Sequence, residues 1–184
     1  MKQENTAKYI LRLTFTLLMI CALVALALAG VNTITKEMIV ANKAAKTTAA
    51  LQQVLPGVTD VTEVSFTDAT GTVKKVYKGG SGYAVEVAPS GFGGAITMMV
   101  GVQSDGRVTG ISIISHAETP GLGAVAAQNT DKGVAFRDQF MGLVEGITIG
   151  SGENQIDSLS GATISSQAIV DGVNAALACI KNMG

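Results

Sequence analysis

The sequence predicts an α+β protein: one N-terminal transmembrane helix, followed by a single extracytoplasmic domain with antiparallel strands and a C-terminal helix. Three observations predict it. A long uncharged segment lies near the N-terminus, short strands alternate with turn residues in the middle, and apolar residues recur at helical spacing near the end. The length of 184 residues suits one domain of ordinary size.

The composition excludes several classes of function. Hydrophobic residues make up 47% of the chain and charged residues 15%, with a net charge of -1. The charged fraction is below the roughly 25% of ordinary soluble domains, so the apolar excess is expected in one place. The balanced charge argues against a nucleic-acid partner, which requires a basic surplus. Two cysteines, Cys21 and Cys179, without a CxxC pair, exclude a zinc ribbon or a cysteine-ligated cluster built from this chain alone.

The apolar excess lies in residues 13–35, which contain no charged side chain. A helix of 23 residues is about 34 Å long at ~1.5 Å per residue, enough to cross a membrane and contact lipid. Three basic residues and one acidic residue precede it, so the N-terminal tail is expected in the cytoplasm. The predicted parts are a cytoplasmic tail at 1–12, a transmembrane helix at 13–35, a helical stalk at 36–56 and a folded domain at 57–184.

A cleaved signal peptide is the alternative to an anchor. Ala27-Leu28-Ala29 fits a cleavage site of the small-x-small type after a basic N-terminal region. The apolar segment is longer than the ~7–15 residues of a usual signal peptide, which favours the uncleaved anchor. A lipoprotein signal is excluded because Val31, and not cysteine, follows Gly30.

The remaining elements follow from local patterns. Residues 36–55 are rich in Ala, Lys and Thr, and Pro56 ends the predicted stalk helix. The clearest hairpin has an Asp-Gly turn at Asp105-Gly106. A helix of amphipathic pattern precedes Gly184 at the C-terminus. The predicted strands are 61–66, 73–77, 83–87, 95–103, 107–115 and 147–149, with a short helix at 134–140.

Few residues are suited to catalysis. The chain has no GxSxG, GxxxxGK[ST] or HExxH motif, and His116 is its one histidine, expected as an exposed loop residue rather than a proton carrier. The glycine runs at 79–82 and 91–94 lack dinucleotide-binding spacing and are interpreted as turns.

Two segments of the sequence remain as candidates for a binding site. The first segment is Glu118-Thr119-Pro120-Gly121-Leu122-Gly123, whose glycines would let the backbone approach a flat or anionic group closely. A simple loop that connects a strand to a helix would explain these residues equally well. The second, residues 157–166, places hydroxyls and small residues just before the last helix. A helix start suits a phosphate, but Ser165 or Ser166 could simply cap the helix, and both interpretations stay open on the residues alone.

Both segments resemble the two motifs of a known family of FMN-binding domains. Asp157-x-x-Ser160-Gly161-Ala162-Thr163 is similar to the D-x-x-[ST]-G-A-T motif, at which a flavin transferase attaches FMN to threonine. Residues 118–123 resemble the second motif, ETPGLG. An anchor followed by this domain is the layout of the G subunit of Rnf complexes and of the C subunit of the sodium-pumping NADH:quinone reductase.

The resemblance implies covalent FMN on Thr163, joined by a phosphoester after a magnesium-dependent transferase splits FAD. The remaining phosphodiester charge would lie favourably at the helix start. The transferase would recognise the rest of the motif, which would then shape the pocket: Asp157, Ser160, Gly161 and Ala162. The residues implied along the flavin are Glu118, Thr119, Gly121, Leu122 and Gly123.

The function implied is that of an electron carrier in a bacterial cytoplasmic membrane. The chain is compact, which favours the Rnf family, in which electrons pass between ferredoxin and NAD while sodium ions or protons cross the membrane. Its implied partners are membrane subunits that carry other flavins and an iron–sulfur centre. Two alternatives are an anchored module that binds an anionic ligand without redox chemistry, and an enzyme with Thr163 as nucleophile, for which the sequence shows no base.

Overall fold

One helix, α1 (Lys2–Val54), contains the predicted membrane segment and most of the predicted stalk. The computed structural model describes residues 2–58, 60–68, 70–80 and 82–183, with side chains from residue 7 onward. The chain divides into two units, the first ending at Ala44 and the second beginning at Ala45.

The first unit suits a lipid environment. Its large apolar side chains are exposed by 50–76%. The hydroxyls of its threonines donate to the carbonyl four residues earlier, at 2.8–3.0 Å, which satisfies them without water. In the described part of the chain, one other helix is long and apolar enough to span a membrane, but 67% of its most apolar stretch of 18 residues is buried in the second unit. The threonines of the first unit with these internal hydrogen bonds are Thr14, Thr16, Thr33 and Thr35.

The second unit is built on a five-stranded antiparallel sheet, as predicted, whose strands follow sequence order. A row of buried residues crosses it, because Val76 pairs with Val85, Val85 with Val100 and Val100 with Ile111. The strands are β1 (Val61–Val64), β2 (Val73–Gly79), β3 (Gly82–Val87), β4 (Thr97–Gln103) and β5 (Val108–Ser115).

Helices cover both faces of this sheet. The C-terminal helix α3 (Thr163–Met183) buries one side in the main core, where Ile169, Val170 and Val173 are fully enclosed. The last turns of α1 pack on the other face, where Val54 joins a second cluster with Met99 of β4. The sheet is therefore the middle layer of the second unit.

Helix α2 (Asp131–Asp138) begins three residues before the predicted one. The Thr130 hydroxyl accepts a hydrogen bond from Gly133 N–H at 3.3 Å and so caps the helix.

Two short features were not predicted: the 3-10 helix at Gly123–Ala127 and the strand β7 (Gln155–Ile156). The predicted strand at 147–149 is present as β6 (Thr148–Ile149), and it pairs with β7 in parallel. Two-residue strands are too short to leave an alternating pattern, which explains why the sequence predicted only antiparallel pairing.

Candidate functional site

Three loops of the second unit surround a cleft of about 360 Å³. One joins β3 to β4, one follows β5, and one leads into α3. The ETPGLG and SGAT segments therefore come together although the sequence separates them by more than thirty residues. The lining residues are Phe92, Glu118, Thr119, Leu122, Gly123, Gly161, Ala162, Thr163, Ile164 and Ser165.

Seven of the ten predicted site residues line this cleft, and three do not. Gly121 forms a turn at φ +78°. Asp157 is exposed, and its backbone N–H donates to Gln139 Oε1 at 2.7 Å. Ser160 is an exposed loop residue. The motif positions thus divide into cleft-lining residues and exposed loop residues.

Thr163 is the first residue of α3, and its side chain is exposed between the buried Ala162 and Ser165. The first hydrogen bond of the helix runs from Ser166 N–H to the Ala162 carbonyl at 2.9 Å. The three N–H groups before it lack helical partners and give the helix start a partial positive charge. A hydroxyl at this position can carry an anionic group close to those donors.

Capping by Ser165 or Ser166, the alternative left open by the sequence, is wrong. Ser166 Oγ donates to the Ala162 carbonyl at 3.0 Å and accepts from Leu159 N–H at 3.0 Å. Ser165 Oγ donates to Glu118 Oε2 at 2.6 Å. Neither hydroxyl accepts from a free N–H at the helix start, which is what an N-cap does.

Hydrogen bonds of Glu118 link its own loop to the β3–β4 loop and to the start of α3. Its carboxylate is buried, with Oε2 bonded to Ser165 of α3 and Oε1 accepting from Gly93 N–H at 3.0 Å. The backbone N–H of Glu118 donates to Nδ1 of the exposed His116 at 3.2 Å, in agreement with the loop role expected for this histidine.

Glycines make this close packing possible. A Cβ on Gly123 would lie 2.4 Å from Ser165 Oγ and 2.7 Å from Glu118 Oε2. A Cβ on Gly93 would lie 2.2 Å from the Ala117 carbonyl oxygen. All three distances are shorter than the contacts that Cβ atoms make in proteins, so the site requires glycine at these two positions.

The edge of the cleft is apolar. Phe92, Leu122 and Ile164 are exposed by 69%, 42% and 58%. Sequence reasoning missed Phe92 and Ile164, although an aromatic residue alone in a glycine run was the available signal. Exposed apolar side chains beside an exposed hydroxyl fit a flat aromatic ring attached through a polar chain.

The charge in the cleft is negative. Among the described residues that line it, Glu118 is the single charged side chain. The buried Arg137 does not line the cleft, and its guanidinium donates to the Ala126 and Gln128 carbonyls at 2.6 and 2.9 Å. Burial lowers the pKa of Arg137. No group of three or more metal-ligating side chains occurs in the part of the chain that the structure describes.

The second unit contains an FMN-binding domain. A family model described as the FMN-binding domain matches residues 91–178, which include every residue lining the cleft.

Two relatives that match over nearly the full length of the chain, and a third that matches over about half of it, identify the family of this chain. The chain is 34% identical to the G subunit of the Na(+)-translocating ferredoxin:NAD(+) oxidoreductase complex of Acetobacterium woodii, over 96% of this chain and 94% of the relative. It is 34% identical to the G subunit of the ion-translocating oxidoreductase complex of Methanosarcina acetivorans, over 94% and 95%. The G subunit of a proton-translocating complex of Clostridium ljungdahlii is 40% identical over 52% of this chain and 51% of the relative. The chain belongs to the family of G subunits of ion-translocating oxidoreductase (Rnf) complexes.

Proposed function

We propose that this chain is an electron-carrier subunit of a membrane complex that couples electron transfer between ferredoxin and NAD to sodium ion or proton translocation. The relatives that match over nearly the whole chain carry names of this complex, which supports the Rnf assignment over the quinone-reductase alternative. The subunit acts as a redox component of the translocase, together with the other membrane subunits of the complex.

FMN is attached to Thr163 in this proposal through a phosphoester. The observation that carries it is the exposed Thr163 hydroxyl at the start of a 21-residue helix, inside the cleft of an FMN-binding domain. The free N–H groups of the first turn stabilise the phosphate, because the helix start carries a partial positive charge. FMN, when bound, supplies reversible electron transfer.

The cleft disfavours the alternative of a module that holds an anion without a covalent bond. Such a module would use lysine, arginine or histidine, and the described lining residues include none. The one charged lining residue, Glu118, repels an anion. A covalent bond keeps the phosphate in place despite this repulsion.

The other predicted residues have two roles in this proposal. Leu122, Phe92 and Ile164 would offer apolar contacts to the flavin, and the glycines would let the backbone approach it closely. Asp157 and Ser160, exposed in the loop before α3, are recognised by the flavin transferase during maturation. The residues that hold the flavin are Glu118, Thr119, Gly121, Leu122, Gly123, Gly161, Ala162 and Thr163.

The proposed function is tested by expressing the full chain in cells that contain the transferase and the other subunits. We expect the denatured band on a gel to fluoresce yellow-green under ultraviolet light, because a covalent flavin survives unfolding. We also expect the chain to co-purify with the membrane subunits. A dark band from cells that flavinylate other proteins would contradict the proposal.

The chain is membrane-anchored, and we propose residues 13–35 as the span, with the N-terminus in the cytoplasm. The exposed apolar surface of α1 and its satisfied threonine hydroxyls support this.

We expect the protein to resist carbonate extraction and a C-terminal reporter to be active outside the cytoplasm. Leu23→Arg, at the centre of the span, should disfavour insertion by about 3 kcal/mol. A reporter active only in the cytoplasm, or a mature N-terminus at Gly30, would refute the topology.

A further inference from the structure

One of the residues proposed to hold the flavin is a buried carboxylate that takes no part in the covalent bond at Thr163. Glu118 is 6% exposed, and both of its oxygens accept hydrogen bonds, from Gly93 N–H at 3.0 Å and Ser165 Oγ at 2.6 Å. Acceptance at both oxygens is the pattern of an ionised carboxylate. The 2.6 Å distance matches a hydroxyl donor on a charged acceptor. The wall of the cleft therefore carries a fixed negative charge.

This charge has no cationic partner among the described residues. It is offset by dipoles alone: the Gly93 N–H, the Ser165 hydroxyl and the start of α3. The buried Arg137 is bonded to carbonyls elsewhere. Dipoles of this kind offset part of a unit charge, so the cleft keeps a negative potential. The ion pairs of the described residues join exposed side chains: Lys75–Glu63, Arg107–Asp105 and Lys181–Glu145.

We propose that Glu118 sets the reduction potential of the bound flavin, holding it below the value that the same pocket would give without the charge. The inference rests on the proposed function. Two electrons from a neighbouring redox subunit and one proton from water add one net negative charge to the cleft. A fixed negative charge nearby opposes that addition, and charge beside the ring is one of the means by which proteins tune a flavin.

The expected size of the shift in reduction potential follows from Coulomb's law. If the ring is bound roughly 10 Å from the Glu118 carboxylate, a unit charge at an effective dielectric constant of about 20 would change such an equilibrium by about tenfold. Removing the charge should therefore raise the ratio of reduced to oxidised flavin about tenfold at a fixed ambient potential. For a two-electron couple this is an upward shift of about 30 mV.

Two substitutions separate the charge of Glu118 from its shape. Glu118→Gln keeps the length of the side chain, and its amide oxygen can still accept from Gly93 N–H while the Ser165 hydroxyl turns to accept from the amide. Glu118→Asp keeps the charge but shortens the reach. Glu86→Gln is the matched control, since Glu86 is also a buried carboxylate, at 8% exposure, but does not line the cleft.

The measurement is a spectroelectrochemical titration of the flavin absorbance in the full-length protein, after in-gel fluorescence has shown that flavin is attached. We expect an upward shift in Glu118→Gln and a clearly smaller one in Glu118→Asp and Glu86→Gln. Equal potentials in the wild type and Glu118→Gln, or equal shifts in all variants, would overturn the inference. Loss of flavin from both Glu118 variants would also overturn it, because Glu118 would then be required for flavin attachment itself. Absence of flavin from the wild type would instead overturn the proposed function.

Discussion

Thr163→Ala should remove the covalent flavin completely. A phosphoester requires a hydroxyl oxygen, and Thr163 is the exposed hydroxyl at the start of α3 within the cleft. Because its side chain is exposed, the substitution should leave the free energy of unfolding within about 0.5 kcal/mol of the wild type. In-gel fluorescence of the denatured protein and mass spectrometry of the peptide that contains residue 163 measure the outcome.

Two further variants show whether the hydroxyl itself is responsible. Thr163→Val keeps the branched shape without the oxygen and should also lack flavin, whereas Thr163→Ser keeps the oxygen and should retain part of it. Ser166→Ala is a control in the same turn, since its hydroxyl is bonded to Ala162 and Leu159 and should leave flavin attached. A flavin mass on a residue other than 163 would refute the attachment site.

Gly123→Ala should have the second largest effect, lowering both flavin attachment and stability. The added Cβ would lie 2.4 Å from Ser165 Oγ and 2.7 Å from Glu118 Oε2, so the hydrogen-bonded pair must separate. Overpacking of this kind costs about 1–3 kcal/mol. Thermal unfolding measures the stability, and in-gel fluorescence measures the attached flavin.

Two glycines serve as controls for this variant. A Cβ on Gly110 of β5 meets nothing within 4 Å, so Gly110→Ala should be nearly neutral. A Cβ on Gly121 is equally unobstructed, but this residue has φ +78°, so Gly121→Ala tests backbone strain without a collision. If Gly123→Ala behaved like Gly110→Ala, the packing of the three loops around Glu118 would be wrong.

Local patterns predicted most of the fold. An uncharged run, an Asp-Gly turn and apolar residues at helical spacing each act over a few neighbouring residues, so α1, the β4–β5 hairpin and α3 were predictable. The strand predicted at 147–149 is present as β6, but its partner β7 has two residues and depends on a neighbour in space. The 3-10 helix begins at Gly123, which is packed against Ser165 and Glu118. Neither β7 nor the 3-10 helix leaves a periodic signal.

The site was predictable through its two motifs and not through periodicity. From the residues alone, the start of α3 could equally be a phosphate-binding site or a helix capped by Ser165 or Ser166. The contact that decides against capping joins Ser165 to Glu118, which lies 47 positions away in the sequence. Phe92 reaches the cleft because its loop is held by the Gly93–Glu118 hydrogen bond, which also depends on the tertiary structure.

The exposure of Thr163 has a consequence for biogenesis. Ala162 and Ser165 are packed into the domain, while the hydroxyl between them faces solvent. An enzyme can therefore reach this oxygen without opening the core, so the proposed attachment of FMN allows the polypeptide to fold before the cofactor is added. Under the proposed attachment at Thr163, maturation in that order would make the yield of folded subunit independent of the supply of FAD, and folded apoprotein could accumulate at the membrane before a transferase acts on it.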